Sequence, residues 1–127
     1  MKLTALYASV LALVFVGLCL RVVAMRTKLK VAIGDGGHEA LRRAARVQGN
    51  FAEYVPFALL LIFFVETSAL PALVVHGLAI CLLVGRVVHA CGLSQVKENL
   101  ILRLIGMILT FTCLIGAALV LILKHPF

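Results

Sequence analysis

Four apolar stretches, each close to the length needed to cross a lipid bilayer, occupy almost all of this chain. A helix rises ~1.5 Å per residue, so a hydrocarbon core of about 30 Å takes about 20 predominantly apolar residues to span. The first stretch runs from Leu3 to about Met25 and is uncharged until Arg21. The second covers 51–66, and a polar segment extends its helical pattern back to about residue 38. The third, 71–91, carries His76, Arg86 and His89; the fourth, 100–123, carries Arg103 near its start. The expectation is a single unit over 1–127: an all-α, integral membrane four-helix bundle with antiparallel neighbours. A chain of 127 residues that is 64% hydrophobic and 13% charged leaves too much apolar surface for a small water-soluble domain to hide.

The first stretch differs from a secretory signal. Its apolar run is long, Arg21 follows directly, and no small-x-small cleavage site stands near its end. It is expected to be retained as a span.

Charge placement orients the bundle. Arg21, Arg26, Lys28, Lys30, Arg42, Arg43, Arg46, Arg86, Lys97 and Arg103 fall toward one side, with Asp35, Glu39, Glu53 and Glu98. Lys2, Lys124 and Glu66 are left for the other. Lysine and arginine concentrate in cytoplasmic loops, so the first and third connections are expected in the cytoplasm and both termini across the membrane. Arg26, Lys28, Lys30, Lys97 and Lys124 suit anchoring to anionic lipid headgroups. No aromatic platform is interleaved with the basic residues, so nucleic acid is not an expected partner.

Cys19, Cys81, Cys91 and Cys113 lie within or at the ends of spans, where thiols behave as small apolar groups. The spacing of His76, Cys81, His89 and Cys91 fits no standard zinc pattern, and no metal is expected.

The segment from Glu39 to Pro56 carries the chemistry. Gly34-Asp35-Gly36-Gly37 before it reads as a turn, with Asp35 placed to cap the incoming helix. At 100° per residue, Arg46, Asn50 and Glu53 fall within about 60° of one another, and Glu39 and Arg42 extend the stripe. Ionisable groups at a span centre cost roughly 2.5–3.5 kcal/mol, so they usually face the bundle interior and mark function. Arg86 and His89 are spaced to share a face of the third helix. Arg103 begins a stripe of Gly106, Thr110, Cys113 and Ala117 whose small side chains allow close helix approach. Two readings remain open. Glu53 could form an interhelical ion pair with Arg86 or Arg103 that fixes packing alone. The surplus of arginine over carboxylate could instead receive an anionic ligand, arginine being a bidentate carboxylate binder, with Glu53 holding an ammonium and Asn50 and Tyr54 hydrogen-bonding amides. A nearby cation also favours a thiolate.

The run Arg46-Val47-Gln48-Gly49-Asn50-Phe51-Ala52-Glu53-Tyr54-Val55-Pro56 is similar to the R-x-x-x-N-x-x-E-[YN]-x-P signature of a known family, and Arg86-Val87-Val88-His89 to its R-x-x-H segment. On these motifs the chain resembles the membrane-associated proteins in eicosanoid and glutathione metabolism, the MAPEG family, and most of all its small bacterial branch. The resemblance spans nearly the whole length. It implies a homotrimer in a cell membrane, with glutathione as co-substrate bound between subunits near the cytoplasmic face. It also implies transfer of glutathione to a lipophilic electrophile, or reduction of a lipid hydroperoxide. Carried over by position, Arg46, Gln48, Asn50, Glu53, Tyr54, Arg86 and His89 are expected to bind glutathione. Either Arg21 or Arg26 joins them, and Arg103 polarises the thiol. The chain departs from the pattern at Leu93, where the synthases carry a tyrosine, and at His89, where the leukotriene-forming enzyme has another. A catalytically silent relative is therefore an alternative. A small four-span multidrug transporter is a further one, although such exporters place their buried acid in the first helix, which here has none.

Overall fold

A computed structural model describes residues 2–95 and 99–125. Lys97 and Glu98, assigned above to the basic side, lie outside the described residues. The chain forms four α-helices, α1 (Lys2–Leu29), α2 (Glu39–Thr67), α3 (Ala72–Ser94) and α4 (Leu100–Lys124). Each is long and apolar enough to cross a membrane, and among the described residues there is no strand. The helices outrun the apolar stretches at the basic end. α1 continues past Met25 to Leu29, carrying Arg26 and Lys28 in its last turn. Cations there complement the helix dipole, and their long stems let the charged heads reach polar surroundings. α2 starts at Glu39, so the polar segment and the apolar stretch behind it are one helix.

The direction of each helix follows from contacts between its ends. The backbone N–H groups of Leu3 and Thr4, opening α1, donate to the Glu66 carboxylate near the end of α2 at 3.0 Å each. Arg21, late in α1, donates to Ser94 Oγ at the end of α3. Gly92 of α3 lies against the backbone of Arg103 at the start of α4. Neighbours in sequence therefore run antiparallel, as short connections require. α2 and α3 each pack on the other three helices, whereas α1 and α4 are not neighbours among the described residues.

The tightest seam is between α3 and α4. A Cβ at Gly106 would lie 2.6 Å from the His89 nitrogen and 2.7 Å from the Gly85 carbonyl oxygen; one at Gly92 would lie 2.7 Å from the Arg103 nitrogen. Helices cannot gain from excluding water inside a lipid, so close backbone approach through small residues is what binds them. Gly106, Thr110, Cys113 and Ala117 are all buried on this seam, as their spacing predicts. Around it Leu11, Phe51, Val55, Ile62, Val75, Ala79 and Leu82 form the core. Outward-facing Leu6, Leu13, Leu20, Leu73, Ile101 and Ile122 remain exposed, a coat matched to lipid rather than water.

Asp35 does not cap α2. His38 is the N-cap residue and makes no side-chain cap bond. Asp35 Oδ1 instead accepts from the Gly37 N–H at 2.9 Å, an Asx turn, and its carboxylate pairs with Arg42 at 3.4 Å. Gly34, Gly36 and Gly37 all have positive φ, so the turn closes before the helix begins and leaves Asp35 one turn too early to cap it.

Candidate functional site

At the basic end, the first half of α2, the last turns of α3 and the first turn of α4 enclose a cleft of about 230 Å³. Glu39, Arg42, Arg43, Arg46 and Asn50 form one wall, spaced as one face of a helix. His89 and Leu93 of α3 and Arg103 of α4 form the other. Two of these arginines already hold carboxylates. Arg43 donates to Glu39 Oε1 at 2.7 and 3.1 Å, and Arg42 reaches Asp35 across the turn. Both pairs are substantially exposed, so each stabilises little and yields readily to a competing anion. Arg46 makes no ion pair among the described residues and is exposed at the cleft.

Arg86 adjoins the cleft through Asn50. It is 1% exposed, the largest fully buried side chain. One Nη donates to Asn50 Oδ1 at 2.8 Å and the other to Met107 Sδ at 3.4 Å. The guanidinium carbon lies 5.4 Å from the centre of the Tyr54 ring, which is itself held edge-on by Phe111. Every one of these partners is neutral, and the buried Nε has no partner. A buried guanidinium without a counter-charge is costly, because amide, thioether and ring replace only part of its hydration. Such a group attracts an anion.

The expected residues are only partly brought together. Arg46, Asn50, His89 and Arg103 line the cleft; Arg86 and Tyr54 stand behind Asn50. Gln48 is half-buried but is not part of the cleft wall. Glu53 does not face the interior of the protomer and pairs with neither Arg86 nor Arg103. It is exposed on the outer face of α2, with Ala52, Pro56, Phe57 and Leu60. The reason is rotational: Phe51, Val55 and Ala58 take the buried face of α2, which turns Glu53 outward. Of the two α1 arginines, Arg26 is tied to the Ala32 and Gly34 carbonyls of the loop. Arg21 is bonded to Ser94 in a hollow that shares Glu39 and Arg43 with the cleft, so it is the nearer of the two. Met107 went unnoticed in the sequence. Its position four residues after Arg103 on the same helix is the signal that could have found it.

The fold and the cleft together define an integral membrane protein with four spanning helices and a cationic recess at one end. A profile of the MAPEG family matches residues 4–123, and the chain belongs to that family. It is 40% identical over 89 residues to the inner membrane protein YecN of Escherichia coli K12, covering 70% of this chain and 68% of that one. The inner membrane protein YecN of E. coli O6:H1 matches to the same extent. No solved structure matches it significantly.

Proposed function

We propose that this protein binds glutathione at the basic end of the bundle. It acts as a glutathione transferase, or as a peroxidase, on lipophilic electrophiles, in a homotrimer whose cleft opens to the cytoplasm. The observation that carries this reading is Arg86, a buried guanidinium surrounded by neutral partners beside a cleft rich in arginine. Glutathione brings two carboxylates, an ammonium and a thiol. Arg46 and Arg86 suit the carboxylates, each able to offer paired N–H donors. The Asn50 amide can serve both Arg86 and a peptide group of the ligand.

Arg103 is the group assigned to the thiol. A guanidinium beside the sulfur favours thiolate over thiol, and the thiolate is the nucleophile. In transfer, the thiolate forms a carbon–sulfur bond to the acceptor and the acceptor's leaving group departs with the electron pair. In peroxide reduction, sulfur takes the terminal oxygen and the alcohol leaves; a second glutathione then gives the disulfide and water. Arg103 stands between the polar cleft and an outward groove lined by Leu100, Leu104 and Met107, so water-soluble and lipid-soluble reactants have separate approaches to it.

Glu53 supports the assembly in this reading. A carboxylate on the outer face of a spanning helix is expensive against lipid, and Pro56, lacking an N–H, removes the usual helical donor to the Ala52 carbonyl beside it. Another copy covering this face would satisfy both and bring a carboxylate to meet the ligand's ammonium.

Isothermal titration of the purified protein with millimolar glutathione tests the reading. Saturable binding is expected, weakened about tenfold or more in Arg86→Gln by loss of a charged hydrogen bond. Absence of binding to the folded wild type removes the proposal. A silent relative is favoured by one feature, Leu93, which is nearly buried and gives that wall of the cleft no hydroxyl. Conjugation at equal rates in wild type and Arg103→Ala would remove Arg103 from the chemistry.

A further inference from the structure

The Met107 thioether sits between two unlike environments. On one side its Sδ accepts an N–H from the buried Arg86 guanidinium at 3.4 Å. On the other, Met107 lines a groove of about 330 Å³ with Leu100, Leu104 and Arg103 on the outer face of α4, where both leucines are well exposed. Seven residues from the start of α4, it lies about 10 Å along the helix. A molecule with an apolar tail and a polar head can reach that depth from the bilayer without crossing the bundle.

A thioether is a weak acceptor, and Arg86 is poorly served by it. A sulfoxide is a strong one. Oxidation of a methionine in an apolar core usually disrupts packing, because a polar oxygen is buried without a partner. At Met107 the new oxygen meets a buried cation that lacks an anionic partner, so the local balance is reversed.

From this juxtaposition we infer that Met107 is an oxidation site for lipophilic hydroperoxides, with its sulfoxide oxygen accepted into the Arg86 hydrogen-bond set. A sulfur lone pair attacks the terminal oxygen of the hydroperoxide, and the O–O bond breaks. The hydroxyl proton passes to the departing oxygen, which leaves as the alcohol. Sulfur is oxidised by two electrons, the hydroperoxide is reduced by two, and no further reactant is required. The Arg86 N–H occupies the sulfur lone pair on its own side, so the attack uses the lone pair that faces the groove, and rotation about the Cγ–Sδ bond then carries the new oxygen toward Arg86. The product is reversible by methionine sulfoxide reductases, so oxidation here is not a terminal lesion.

The experiment places the wild-type protein in phosphatidylcholine vesicles with a long-chain fatty acid hydroperoxide and no glutathione, so its outcome is independent of the proposed function. Peptide mass analysis follows sulfoxide at Met107 and at Met25, a methionine of similar partial burial that packs near Val22 and Leu41 and has no guanidinium on its sulfur. Met107 is expected to oxidise about threefold or more faster than Met25; equal rates, or a faster Met25, overturn the inference. A second measurement uses Met25→Leu protein, oxidised and unoxidised. The thermal midpoint is expected to hold or rise when Met107 carries the oxygen. A fall means that Arg86 does not receive it, and overturns that part of the inference.

Discussion

Asn50 on α2 accepts a hydrogen bond from the Arg86 guanidinium on α3 at 2.8 Å, and this bond joins the wall of the cleft to the charge buried behind it. Asn50 is the only oxygen acceptor Arg86 has among the described residues, its other side-chain contacts being a sulfur and a ring face. Asn50→Ala is therefore expected to destabilise the protein by about 1.5–3 kcal/mol, the usual worth of a hydrogen bond to a charged group. Asn50→Asp separates folding from binding. It supplies the missing counter-charge and should hold or raise the thermal midpoint in detergent, while it occupies Arg86 and weakens binding of an anionic ligand. Thermal melts and glutathione titrations on the two variants check both halves; equal loss of stability in both would mean that Arg86 does not need an anion.

The α3–α4 seam predicts a graded response to added methyl groups. Gly106→Ala brings a Cβ against backbone atoms of His89 and Gly85, which cannot rotate away. A loss of about 1–3 kcal/mol is expected, the cost of overpacking a rigid contact. Gly92→Ala meets the backbone of Arg103 and Asn99 and should behave alike. Gly17→Ala and Gly77→Ala meet nothing within 4 Å and should be neutral, or stabilising by up to about 1 kcal/mol through helix propensity. Chemical or thermal denaturation in one detergent distinguishes the two pairs.

Glu66 acts at the opposite end of the bundle. By accepting the Leu3 and Thr4 N–H groups it satisfies two of the donors that the start of α1 leaves open, with a negative charge where the helix dipole favours one. Glu66→Ala removes acceptor and charge together, and a loss of about 1–2 kcal/mol is expected. Glu66→Gln keeps an acceptor and should lose less. Hydrogen exchange at the first turn of α1 reads this locally: it should accelerate most in Glu66→Ala and leave α4 unchanged.

The architecture was legible in the sequence because a bilayer imposes one length and one polarity, and the four apolar stretches meet both. The small-residue stripe from Gly106 to Ala117 was legible for a related reason, since close approach leaves a spacing. The site was legible in part. Arg46 and Asn50 could be placed on one face by 3.6-residue periodicity, and both line the cleft. The same periodicity groups Glu53 with them, yet in the protomer Glu53 faces outward, because a stripe about 60° wide can straddle the boundary between a buried and an exposed face. Packing of Phe51 and Val55 decides on which side of it a residue falls. The Arg86–Met107 contact crosses between helices, and its geometry depends on how closely Gly85 and Gly106 let α3 and α4 approach. No spacing within one helix carries that information.

Glu53 gives the test of assembly. The protomer alone places no described residue in ion-pair contact with it, and its neighbours on that face are Ala52, Pro56, Phe57 and Leu60. If this face met lipid, Glu53→Leu would remove a penalty of up to about 2.5–3.5 kcal/mol, the value at a span centre, and stabilise the protein. If another copy covers it with a polar partner, the same change strands that partner and costs association instead, since breaking a desolvated pair leaves an uncompensated charge. The expected outcome is the second. Glu53→Leu should fold with all four helices intact by circular dichroism, yet sediment as a smaller species than wild type at equal concentration in mild detergent. Glu53→Gln, which retains hydrogen bonding but not charge, should fall between the two. A Glu53→Leu protein that is more stable and sediments as wild type does would place this face in lipid and remove the homotrimer from the reading.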